Sequence, residues 1–189
     1  MSSERLWAPW RLAYITGQSA AQTDPAVDRP LLPGGEQACF LCRNAVDDRD
    51  RQNHVVYRGQ GVMAALNRYP YNNGHVLVAP LRHLARLDEL DRQLQAGCLD
   101  LISRLVGLLE KLLHAEGINI GLNLGRVAGA GVPGHLHWHI VPRWTGDNNF
   151  MPVVADTRVI SQSLDAVWEL LAPALAEQPS GGTAGSDPA

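Results

Sequence analysis

Alternation between apolar and polar positions is sharpest at residues 135–141, His-Leu-His-Trp-His-Ile-Val. A strand directs successive side chains to opposite faces, so His135, His137 and His139 share one face while Leu136, Trp138 and Ile140 share the other. Pro142 is expected to stop the run. Two further strands are predicted over residues 54–58 and 61–66, joined by a Gly59-Gln60-Gly61 turn. A loop containing Pro70 runs from Asn67 to Asn73, and Gly74 to Pro80 reads as a third strand. The period then changes. Leu90, Leu94, Cys98, Leu101, Leu105, Leu108, Leu109 and Leu112 recur at spacings of three and four, which predicts one long helix over 88–116. Asp88 is expected to cap its start and Gly117 to end it, with Gly97 and Gly107 weakening it.

Residues 118–125 return to period two, with Ile118, Ile120, Leu122 and Leu124 on one face and Asn119, Gly121, Asn123 and Gly125 on the other. A Gly/Ala-rich loop, 126–134, leads into the histidine strand, and a short C-terminal helix is expected over 163–177. Short meandering strands with one long helix predict an α+β fold: an antiparallel sheet of about five strands, covered on its apolar face by the helix. The short connection pairs the 118–125 strand with the histidine strand, which brings Asn123 beside the triad. The expected organisation is an N-terminal arm and loop over 1–38, a domain over 39–177, and a disordered Gly/Ser/Ala-rich tail over 178–189. The arm carries Trp7, Trp10 and Tyr14, an aromatic load that suits docking on the body.

Composition narrows the class. A chain of 189 residues can bury a core without disulfides. The formal net charge of −3 offers no basic face for long nucleic acid, although a small nucleotide needs only a local anion site. No apolar run approaches the roughly 20 residues of a membrane span, and the N-terminus lacks a signal-peptide core, so a cytoplasmic protein is expected. Three cysteines are too few for a disulfide framework; Cys39-x-x-Cys42 reads as metal-binding or redox-active in a reducing compartment, against two buried thiols. Cys98 falls on the apolar stripe of the long helix and reads as core. His54 and His114 read as surface or edge residues.

Single strand histidines are usually surface or satisfied residues. Three in register offer a nucleophile, an orienting partner and a donor to an anion near neutral pH. A single metal held by all three is the weaker reading, because side chains at i, i+2 and i+4 spread over about 13 Å, four times the strand rise.

The motif His135-Leu136-His137-Trp138-His139-Ile140-Val141 resembles the His-φ-His-φ-His-φ-φ signature of the histidine triad (HIT) superfamily, where φ is apolar. The upstream run from Leu66-Asn67 through Pro70 to Gly74-His75-Val76-Leu77-Val78-Ala79-Pro80 is similar to a second segment of that family. The segments Leu6-Trp7-Ala8-Pro9-Trp10-Arg11, Asn119–Gly125 and Pro142-Arg143-Trp144 resemble the bacterial branch related to Fhit and to diadenosine tetraphosphate phosphorylases.

The resemblance implies a HIT-like fold and an enzyme, a nucleotide hydrolase or nucleotidyl transferase acting at the α-phosphate of a dinucleoside polyphosphate through a covalent nucleotidyl-histidine. His137 is then the nucleophile and His135 holds its other ring nitrogen through a backbone carbonyl. His139 contacts the α-phosphate and assists the leaving group, and His75 supports the triad. Asn67 reaches the ribose and Asn123 lies by the phosphates. It also implies a homodimer and a structural zinc held by Cys39, Cys42, His83 and His135. Gly131 and Val132 stand where well-known members carry polar residues, so contacts to the leaving phosphates must come from elsewhere, with glycine-rich backbone as one source. Competing readings are a nucleoside phosphoramidate hydrolase, a low-turnover nucleotide sensor and a metal-binding interaction protein.

Overall fold

The computed structural model describes residues 29–147 and 160–178. The N-terminal arm, residues 18–28 of the loop that follows it, and the tail from residue 179 lie outside the described residues.

Two short helices come first, α1 (Phe40–Val46) and α2 (Asp50–Asn53). Strands β1 (Val55–Gly59), β2 (Val62–Leu66) and β3 (Val76–Pro80) follow, then a 3-10 turn (Leu87–Glu89) and the long helix α3 (Arg92–Leu113). Strand β4 (Gly117–Leu122), a second 3-10 turn (Arg126–Ala128), strand β5 (Trp138–Arg143) and helix α4 (Leu164–Glu177) complete the described elements. The strands form one open antiparallel sheet in the order β1-β2-β3-β5-β4. The expected α+β class and its five strands are therefore present.

Alternation sorts the side chains onto two layers. One face sends Val62, Ala64, Leu66, Val76, Val78 and Ile140 against Leu94, Cys98, Leu101, Leu105 and Leu109 of α3 and Val167 and Leu171 of α4. Cys98 is fully buried there, as its place on the apolar stripe implied. The opposite face is covered in part: Met63 and Ala79 pack with Cys39, Leu41, Cys42 and Ala45 in and beside α1. The sheet row Ala65, Leu77, His139 and Gly121 continues that face toward β4. The histidines thus stand beyond the edge of a small second core.

Several boundaries differ from the sequence reading. The long helix is capped by Asp91, whose carboxylate accepts the Leu94 N–H at 2.8 Å, and not by Asp88, which pairs with Arg86. Leu90 adopts extended backbone between the 3-10 turn and α3, which resets the start. The helix stops at Leu113 because His114 turns left-handed at φ 54°, three residues before Gly117. β4 ends at Leu122, and Ile120 and Leu124 are about half exposed because β4 is an edge strand. β5 starts at Trp138, so His135 and His137 precede the regular strand, and Pro142 lies within it. Pro142 is tolerated because the β3 ladder ends at Val76–Ile140, so no donor is required of it on that side. The turn after β1 is as expected, with Gln60 and Gly61 both at positive φ, the geometry of a tight two-residue hairpin.

Candidate active site and metal cluster

The segment 135–139 divides its histidines between two sites. His135 is fully buried and turns its side chain away from the other two. Its Nε2 lies 2.9 Å from the carbonyl of Pro80. A carbonyl can only accept, so Nε2 carries the proton and Nδ1 keeps its lone pair. That lone pair faces Cys39 Sγ at 3.4 Å and Cys42 Sγ at 3.5 Å. His83 places Nδ1 3.1 Å from Cys42 Sγ and its Nε2 3.7 Å from a Glu36 carboxylate oxygen. The ligand atoms of Cys39, Cys42, His83 and His135 all lie within 4.8 Å of one another. The space belongs to His83 in part because residue 134 is glycine: a Cβ there would stand 2.9 Å from His83 Nε2.

This donor set fits zinc. Two thiolates and two imidazoles match a closed tetrahedral site, and each histidine has its outer nitrogen directed at a carbonyl or carboxylate, as metal-bound histidines do. Burial pushes the Cys39 thiol up to about 12 and the His135 imidazole down to about 4. An uncharged histidine is ready to ligate, whereas the thiols need the cation to become thiolates.

His137 forms the second site and is joined to the first through the backbone. Its Nδ1 donates to the His135 carbonyl at 2.8 Å, which leaves the lone pair on Nε2. The ring is 5% exposed, and burial lowers its pKa, so the neutral form prevails at pH 7. Its ring centre is 5.0 Å from that of His139 in an edge-on arrangement.

His139 and His75 form a hydrogen-bonded pair, Nδ1 to Nε2, at 3.0 Å. The direction follows from the donors around His75. Its Nδ1 accepts the Tyr71 backbone N–H at 3.1 Å and faces the Asn67 amide nitrogen at 3.3 Å. His75 therefore carries its proton on Nε2 and donates to His139, which as a neutral ring holds its own proton on Nε2. The Tyr71 ring stacks on His139 at 5.6 Å and 19° and leans on His75 at 4.7 Å.

Among the residues named from sequence, His75, His137, His139 and Asn67 converge, and Cys39, Cys42, His83 and His135 form the separate metal cluster. Asn123 follows Leu122, the last residue of β4, whose partner is Trp138, just after His137. Its amide nitrogen lies 3.5 Å from the carbonyl of Gly129, which ties it to the glycine-rich loop. Trp138 packs against the main core, and Trp144 donates to the Leu113 carbonyl at 3.2 Å. Sequence reasoning missed Tyr71, the Pro80 carbonyl and Glu36. Tyr71 had a usable signal, an aromatic four residues before a motif histidine; the other two are contacts between distant segments.

Taken together, an antiparallel sheet with a long covering helix, a buried nucleophile-ready imidazole and a supporting histidine pair define a nucleotide-binding fold of the histidine triad type. The HIT domain family matches residues 48–146, and the chain belongs to that family. It is similar to the AP-4-A phosphorylase of Mycobacterium tuberculosis, with 34% identity over 93% of this chain and 86% of that protein. It is 36% identical to the asymmetrical bis(5'-nucleosyl)-tetraphosphatase of Schizosaccharomyces pombe over 50% of this chain and 52% of that one. The crystal structure of a Zn-bound histidine triad family protein from Mycobacterium smegmatis superposes with a TM-score of 0.61. It is 28% identical and covers 76% of this chain and 96% of its own.

Proposed function

We propose that this protein cleaves dinucleoside polyphosphates, with diadenosine tetraphosphate the leading substrate, through a nucleotidyl intermediate on His137. The observation that carries the reading is the His137 Nδ1–H held by the His135 carbonyl, which commits the Nε2 lone pair to attack. Nε2 attacks the α-phosphorus, a P–N bond forms, and the P–O bond to the leaving nucleotide breaks. The ring becomes cationic, and its Nδ1–H remains on the carbonyl that stabilises it. The negative charge gathers on the leaving oxygen, where the Nε2–H of His139 donates a hydrogen bond, backed by His75. Asn67 suits a ribose hydroxyl and Asn123 the phosphates. In the second step an acceptor oxygen attacks phosphorus and the P–N bond breaks, which restores neutral His137. Phosphate as acceptor yields ADP and water yields AMP; similarity to a phosphorylase over nearly the whole chain favours phosphate.

Cys39, Cys42, His83 and His135 would hold zinc, whose chemistry there is structural: a closed set of ligands leaves no position for substrate. The protein is read as a homodimer built along α3 and β4, where the edge strand leaves Ile120 half exposed. No described helix is long and apolar enough to cross a membrane, and a cytoplasmic enzyme remains the reading.

The test is intact-mass spectrometry after brief incubation with diadenosine tetraphosphate, with and without phosphate. A transient adenylyl adduct and phosphate-dependent ADP support the reading. Tight AMP binding with no adduct and no turnover would replace it with a nucleotide sensor.

A further inference from the structure

The clamp beside the histidine pair points to an additional residue for this reaction. We infer that Asn72, held by Asp147, is a positioning residue that sets the His75–His139 hydrogen bond and so the donor that meets the leaving oxygen. The inference rests on the cleavage reading above for its catalytic part and on geometry for the rest.

The β3–β5 ladder begins at Val76–Ile140. His75 lies one residue outside it, on a tight turn, and nothing in the ladder fixes that turn to β5. Pro142, the next position along β5 that could reach across, has no N–H to donate. Asn72 supplies the missing tie from the other side. Its amide nitrogen donates to the Pro142 carbonyl at 3.1 Å and to Asp147 Oδ2 at 2.7 Å. Its side-chain oxygen accepts the Asn73 N–H at 3.0 Å, and its backbone carbonyl accepts the His75 N–H at 3.3 Å. Asn72 thus holds β5 with its side chain and the His75 backbone with its main chain. Its neighbour Tyr71 donates its own N–H to His75 and stacks on His139.

Asp147 makes the tie rigid. Its carboxylate is 7% exposed and takes Arg143 through Nε at 2.6 Å and Nη2 at 2.9 Å, with the Trp144 N–H at 3.2 Å. Arg143 in turn donates to Asn119 Oδ1 on β4 at 3.0 Å. Gly74 closes the turn at φ 69°, where a Cβ would stand 2.5 Å from the Leu113 side chain, so the turn comes close to α3 only because residue 74 is glycine. The clamp therefore joins β4, β5 and the turn that carries His75. Charge-assisted bonds to a carboxylate shielded from solvent hold its geometry well, and a displacement of an ångström at a donor is costly in rate.

Two measurements on the full chain test this. The first needs no substrate. In protein labelled with 15N-histidine, the imidazole proton between His75 and His139 is expected as a protected, downfield resonance in wild type. In Asn72→Ala its exchange with solvent should quicken at least tenfold (order of magnitude). Unchanged protection overturns the inference whether or not the protein turns over. The second compares phenyl and 4-nitrophenyl esters of AMP. Phenoxide needs the His139 donor far more than 4-nitrophenoxide. Asn72→Ala and Asp147→Asn should slow the phenyl ester by about tenfold more than the nitrophenyl ester, in kcat, with KM within about twofold. Equal loss on both esters would mean general damage and overturns the inference, as would no loss on either. Wild type that forms neither adduct nor product with diadenosine tetraphosphate would overturn the cleavage reading, while the proton-exchange result still decides the clamp.

Discussion

The two halves of the histidine segment are held in different ways. On one side His135 and His137 are placed by burial and by the backbone. The side chain of His135 is enclosed among cysteines and a histidine, and its carbonyl reaches His137. On the other side His75 and His139 bond to each other, and His75 is held by the Asn67 amide, the Tyr71 backbone N–H and the Asn72 carbonyl, with the Asn72 side chain tied to Asp147. His135, His137 and His75 are nearly solvent-free, at 0%, 5% and 1% exposure, and His139 is half-buried. The difference suits the two proposed tasks. A nucleophile needs one tautomer and one direction, which a backbone carbonyl enforces. The proposed donor is held instead through a polar network that ties its partner His75 to β5.

Breaking the first half should cost most. His137→Ala is expected to abolish the adenylyl adduct and lower turnover by about 10⁴-fold or more, read by intact mass and product formation. Residual turnover near wild type would move the nucleophile elsewhere. Cys39→Ala should come next. Zinc measured in the purified protein falls to background, and because His135 is then free to shift, turnover drops by about 10²-fold. Normal turnover without metal would show that the two sites are energetically separate.

A gentler change sharpens the same contrast. Glu36→Gln keeps all four ligands but removes the carboxylate beside His83, and zinc affinity in a chelator competition should fall by about tenfold. An unaltered affinity would limit the outer shell to the Pro80 carbonyl of His135.

The smallest effect belongs to the second half. Hydrogen bonds from Arg143 hold Asp147 down to about 2, below its ordinary 3.8. The unfolded chain therefore binds more protons between these values, and stability rises with pH there. The contribution is present above about 3.8 and is lost as pH falls through about 2. In urea unfolding, the gap between wild type and Asp147→Asn should be constant from pH 7 to 5 and narrow as pH drops below 4 toward 3. A gap that stays constant to pH 3 would mean that the ion pair adds nothing beyond packing.

Much of this arrangement was legible from local patterns. The period-two runs gave β1, β2 and β3 to within two residues, and the spacing of leucines gave α3, because both report which face is buried. The ends of α3 were not legible. Asp88 and Asp91 are equally good caps by composition, and the choice fell to Asp91 once the 3-10 turn had used Asp88 on Arg86. Helix α1 was not foreseen, since seven residues around a Cys-x-x-Cys carry too little periodicity to register.

The chain on its own therefore determined the sheet, the covering helix and the row of histidines, because each is written in spacings of two or three and four. It also placed Cys39, Cys42 and His83 within the pattern of a metal-binding family. Tertiary structure alone decided that His135 turns its ring to the cysteines while lending its carbonyl to His137. It alone decided that Asn72 and Asp147 meet across 75 positions. Such contacts depend on where β2, β3, β5 and the loops converge in space, and that convergence is set by the packing of the whole sheet and leaves no periodic trace in any one segment.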